Sequence, residues 1–204
     1  MLFTLQEFID LVVMTLGVGF IFMDSFGIRQ SVNKIKSYEE DPVAYYQSYY
    51  QRKIKGFNWH ALWIACIITA PAVIFHEVAH KIIALAFGME ATFHAAYFWL
   101  IFGIIMKYLI GFVFFVPGYV THTGTATPLQ EAAIAFAGPF LNLVLWFISW
   151  YLLKFKPVQM STRTMQILVA SRYINGFLFI FNMLPFGFFD GAKVFDGLIK
   201  YFMG

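Results

Sequence analysis

Residues Trp63–Phe87 read WIACIITAPAVIFHEVAHKIIALAF. A helix needs roughly 20 apolar residues to cross a bilayer, and this run has them, yet it encloses His76-Glu77-Val78-Ala79-His80. Its other formal charge is Lys81, the next residue. An ionisable side chain at membrane depth is costly and reads first as function. On a helix, positions i and i+4 share a face, so both imidazoles can reach one metal ion. Glu77 points elsewhere on the same turn, where it can act as base toward a metal-activated water. The alternative is a pair of satisfied core histidines, but Glu77 would then need a structural reason of its own at the same depth.

Composition widens this reading to the whole chain. Of 204 residues, 60% are hydrophobic, 21% aromatic and only 12% charged, against about 25% charged in a soluble domain. The expected fold is an all-α polytopic membrane protein with about five to six transmembrane helices in one membrane-embedded domain, residues 1–204. Within it, 1–58 form an N-terminal helix and polar loop, and 59–200 the catalytic core. A net charge of +3 is too small to argue for nucleic acid. The single cysteine, Cys66, excludes an intramolecular disulfide and reads as a small core residue. Met1 to Glu7 lacks the basic region of a cleavable signal, so the first apolar segment, about Phe8 to Phe26, reads as a retained anchor. Residues 27–58 form a polar loop with three acids and six Lys/Arg. Its Tyr45, Tyr46, Tyr49 and Tyr50 beside Arg52, Lys53 and Lys55 suit either a headgroup-level amphipathic segment or a solvated loop.

Beyond the second segment (about Trp59 to Phe87, with Pro71 inside), Ala95 to Val116 is apolar apart from Lys107. Phe112 to His122 is rich in aromatic and β-branched residues, with Pro117-Gly118 in the middle, and reads as an extended segment with a turn or bulge. Thr121 to Thr127 reads as a polar loop, Pro128 opens a segment to about Phe155, and another runs from about Met165 to Leu184. After the break at Pro185-Phe186-Gly187, a last helix is expected from Asp190 toward Met203.

A catalytic zinc site usually has three protein ligands and an open position. The candidates for the third are Asp190, Glu131 and His122, with Asp196 further along. Asp190 is preferred because it follows a helix break and stands at a helix start, where a carboxylate is favoured. It could also be a plain N-cap, and Glu131 remains the rival ligand. His76 and His80 share a depth with Asp190 only if the second and fifth segments run in the same direction. That requires a second crossing, or a dip and return, between Phe87 and Leu129. A helix from about Ala95 to Ile110 with an extended return through Val113 to Val120 satisfies this. Such a strand must be sheltered by protein, and its free edge would suit an extended substrate.

Three separated pieces, in order, resemble the site-2 proteases, a family of intramembrane zinc metalloproteases: His76 to His80; Ala137-Gly138-Pro139-Phe140-Leu141-Asn142, similar to a Gly-Pro-x-x-Asn element; and Asn182-Met183-Leu184-Pro185 with Asp190-Gly191, similar to an Asn-x-x-Pro…Asp-Gly element. The resemblance covers most of residues 71–200 and implies a three-helix catalytic core. It implies one zinc ion per chain held by His76, His80 and Asp190, Glu77 as the water-activating base, Asn182 beside the site toward substrate or oxyanion, and Asn142 on a core helix. The chain departs from the family where many members have proline before the Asp-Gly; Phe188-Phe189 stand there. No inserted PDZ- or CBS-like domain is present. The implied substrate is the transmembrane segment of another protein, and the implied location is a multi-pass position in the cell membrane. The family places the site nearer the cytoplasmic face, whereas the Lys/Arg distribution puts the opposite side there; the family placement is preferred. Two other readings stay open: a membrane zincin of the prenyl-protein or quality-control type with a glutamate as third ligand, and a non-catalytic metal-binding membrane protein.

Overall fold

The computed structural model describes residues 3–25, 57–110 and 118–203. Among them are six helices and two strands: α1 (Leu5–Phe22), α2 (Trp59–Ala86), β1 (Glu90–Ala95), α3 (Tyr97–Ile110), β2 (Gly118–Thr123), α4 (Pro128–Phe155), α5 (Thr162–Asn182) and α6 (Asp190–Met203). Four of them, α1, α2, α4 and α5, are long and apolar enough to cross a membrane. The tyrosine-rich stretch of the polar loop lies outside the described residues.

Local chemistry sets the helix ends. Thr4 and Glu7 form a capping box at α1, and Thr127 and Gln130 form another at α4, where Pro128 occupies the first turn. Asn58 and Ser161 cap α2 and α5 through Ala61 N–H and Thr164 N–H. At about 1.5 Å per residue, the 28 residues of α2 and of α4 reach beyond a hydrocarbon layer of about 30 Å. The 14 residues of α3 fall short of it, at about 21 Å.

β1 was not foreseen. It pairs antiparallel with β2 in the register Glu90↔Thr123 to Ala95↔Gly118. The described part of the extended segment expected from Phe112 onward is strand: β2 covers Gly118–Thr123 and so continues into what read as a loop, while residues 111–117 lie outside the described ones. The continuation has a pairing reason. Glu90–Ala95 supplies a partner strand, and its register extends the ladder to Thr123.

Helices α2, α4 and α5 pack together as the expected core, α6 lies against α4, and α1 lies along α2 with the hairpin against both. The polarity is inverted relative to a soluble bundle. In α5 the buried residue is Asn175, while Tyr173, Phe177 and Ile180 are exposed. Polar Asn142, Ser149 and Thr69 are likewise inside. An apolar exterior over polar interhelical contacts is the arrangement lipid favours. Cys66 is buried, as a small core residue should be. Lys107 reaches Asp24 at 2.8 Å and the Phe20 carbonyl at 2.7 Å.

Candidate metal centre

His76 and His80 stand one turn apart on α2, their ring centroids 4.8 Å apart. What lies behind each ring decides what it offers in front. The Nδ1 of His80 is 2.7 Å from the Ile134 carbonyl on α4. A carbonyl only accepts, so Nδ1 carries the proton and Nε2 presents a lone pair. The Nδ1 of His76 is 2.6 Å from Asn142 Oδ1. Asn142 is oriented by its own amide nitrogen, which donates to the Ala72 carbonyl at 2.8 Å and to Asn175 Oδ1 at 2.9 Å. Asn175 in turn donates to the Ser171 carbonyl at 2.8 Å. Carbonyls at both ends of this chain leave one consistent assignment: Asn142 turns its oxygen to His76, whose Nε2 is then also a bare lone pair.

Both Nε2 atoms face Asp190 Oδ2, at 3.0 Å from His76 and 3.4 Å from His80. Three electron-pair donors converge with no donor hydrogen among them, an arrangement that calls for a shared cation. Around a tetrahedral zinc with bonds of about 2.0–2.2 Å, ligand atoms stand about 3.3 Å apart, and the two spacings to Asp190 Oδ2 agree with that. All three candidate ligand atoms lie within 4.8 Å of one another. Two imidazoles and one carboxylate suit zinc, and three ligands leave a position open.

Asp190 reaches this point because of the turn before it. A Cβ on Gly191 would lie 2.4 Å from the Met183 carbonyl carbon and 2.6 Å from the Leu184 oxygen, so only glycine lets α6 start against that turn. Phe189, the residue before Asp190, is buried and packs edge-on to Phe181 at 4.7 Å. Gly138 of α4 lies against the ring tips of both histidines.

The cluster opens into a cavity of about 640 Å³. Glu77 and Asn182 line it, together with Lys193, and its wall is largely Val, Ile and Phe from α1, α2, α4 and α5. Asn142 is completely buried and does not line the cavity, so its contact is with His76 rather than with anything bound there. The rival ligand Glu131 lines the cavity and pairs with His122 at 3.5 Å, and it is not part of the cluster able to hold a metal. β2 forms another wall. Phe93 and Ala95 turn their N–H groups toward α1, so alternation places the ladder bonds at His94–Tyr119 and Thr92–Thr121. Gly118, Val120 and His122 therefore direct their backbone N–H and C=O away from β1, and all three residues line the cavity.

Asn175 escaped the reading of the sequence. The available signal was its place in an apolar helix seven residues before Asn182, two turns along the same face. Replacing Asn142 with leucine is expected to weaken metal binding about 10- to 100-fold, the usual loss when an outer-shell partner of a ligand histidine is removed. Competition against a chromogenic chelator measures it, and unchanged affinity would show that Asn142 does not orient His76.

A protein of Methanocaldococcus jannaschii named "Putative zinc metalloprotease MJ0611" is 33% identical to the chain over 194 residues, covering 94% of the chain and 84% of that protein. The chain belongs to this zinc metalloprotease family. No family model matches it, and no solved structure matches it. Membership implies zinc, and among the described residues of this metalloprotease the His76–His80–Asp190 cluster is the group able to hold it.

Proposed function

We propose that this metalloprotease is an intramembrane endopeptidase of the site-2 protease type, cutting transmembrane segments of other membrane proteins. One observation carries the reading: the candidate ligands come together among helices long and apolar enough to span a bilayer, beside a cavity with largely apolar walls. A zincin working on soluble peptides has no need of that placement.

When bound, zinc lowers the pKa of a coordinated water and polarises a carbonyl. Glu77 takes the proton from the attacking water and delivers it to the leaving amine. Asn182, on the same cavity wall, donates its amide N–H to the negative charge developing on the scissile carbonyl oxygen. Asn142 and the Ile134 carbonyl hold the two imidazoles in the required tautomer. A substrate helix hides its carbonyls, so it must unwind first. The outward edge of β2 offers the unwound segment backbone partners at Val120 and His122, the usual mode of strand addition.

The test uses detergent-purified protein and a substrate containing one transmembrane helix. Cleavage is expected to stop with a chelator and with Asp190→Ala, and to persist in Glu131→Ala. Product masses should map the cut within the apolar segment. A cut in the polar flanks, or zinc loss on Glu131→Ala but not Asp190→Ala, would replace this reading with the surface-cutting zincin.

A further inference from the structure

α1 read as an anchor, yet it holds two carboxylates that the chemistry above does not use, and both are only 2% exposed: Glu7 and Asp10. Buried with them is Lys81, the residue after His80, also 2% exposed. Their contacts form one pattern. Glu7 Oε1 accepts the Phe93 N–H at 2.8 Å and pairs with the Lys81 ammonium. Asp10 Oδ2 accepts the Ala95 N–H at 3.1 Å, while its Oδ1 accepts the Tyr97 hydroxyl at 2.6 Å and the Gln6 amide at 2.9 Å. Glu7 and Asp10 are three apart and share a helix face; Phe93 and Ala95 are two apart and share a strand edge. The helix thus supplies acceptors at the spacing where a third strand would supply carbonyls.

We infer that Glu7 and Asp10 are positioning residues for substrate: they close the outer edge of β1 in place of a strand, and Lys81 ties that edge to the catalytic helix. This rests on the proposed docking of substrate along β2. Two consequences follow from the geometry. Among the described residues, the hairpin edge left for an incoming strand is that of β2, whose Gly118, Val120 and His122 line the cavity. Its distance from the candidate ligands is also held, because Glu7 bonds at once to β1 and to the residue after His80. A buried unpaired charge is expensive enough that Glu7 and Lys81 hold together or fail together.

The test separates placement of substrate from binding of metal. Val120→Cys is introduced into a Cys66→Ala, Glu77→Gln protein and paired with a transmembrane substrate bearing one cysteine. Disulfide yield reads docking, and zinc content reads the folded site. The clamp predicts that Glu7→Ala/Lys81→Met, and separately Asp10→Ala, lower the yield by roughly 10- to 100-fold, the loss expected of an ångström-scale misplacement. Zinc content should stay at the parental level. In the catalytically intact protein the same changes should raise KM and leave kcat close to its starting value. Glu7→Gln/Lys81→Met, which keeps an acceptor for the Phe93 N–H without an orphan ammonium, should recover most of the yield. Cross-linking that survives the alanine variants overturns the clamp alone, as does zinc loss in parallel with cross-linking, which would mark a merely structural role. No cross-linking in the parent overturns the docking along β2, and the clamp's function with it.

Discussion

Glu77→Gln leaves the protein folded and metal-loaded and lowers turnover by at least about 10²- to 10⁴-fold, the range for losing a general base. The change is nearly isosteric, and the side chain is buried at the cavity wall, so packing of α2 is preserved. The residue is next to His76 but points off the ligand face, and the cluster able to hold the metal does not include it. What the amide cannot do is accept a proton from water. Metal content by elemental analysis and cleavage of a helical membrane substrate decide the matter together. Retained turnover would remove Glu77 from the chemistry and favour a protein that binds metal without hydrolysis.

The second large effect comes from a residue that ligates nothing. Gly138→Ala is expected to abolish metal loading. A Cβ there would stand 2.4 Å from His80 Nε2 and 2.6 Å from His76 Nε2, the atoms that face Asp190. Neither ring can yield, since each is fixed from behind, His76 by Asn142 and His80 by the Ile134 carbonyl. Alanine in a helix is otherwise better than glycine by about 1 kcal/mol, so a loss of metal cannot be put down to a weakened α4. The drop in affinity should exceed the roughly 10- to 100-fold expected for an outer-shell change. Wild-type affinity in this variant would mean that α4 stands further from the histidines than described here.

Part of the site was legible because its information is local. His76, Glu77 and His80 lie within five consecutive residues, and helical periodicity alone puts the imidazoles on one face. Asp190 was reachable because a helix break followed by Asp-Gly has a meaning of its own, a carboxylate at a helix start. Glu131 could not be set aside on those grounds, since it too sits near a helix start; its pairing with His122 is a contact between β2 and α4 that no local rule supplies. β1 was missed because Glu90–Ala95 is short and, although polar and apolar residues alternate in it, Phe93 is its one large apolar side chain; it exists through pairing with β2 and bonding to α1.

Composition, apolar run length and the i, i+4 histidine pair by themselves determined a helical membrane protein with a metal-binding pattern within it, because lipid solvation and helix periodicity act residue by residue along the chain. Only the tertiary structure decided which acid completes the cluster, which tautomer each histidine adopts, and that α1 bonds to β1 and to Lys81. Those facts depend on partners such as Asn142 for His76 and Glu7 for Phe93, which lie 66 and 86 residues apart. Hydrogen bonding over such separations is set by how helices pack, and spacing along the chain carries no record of it.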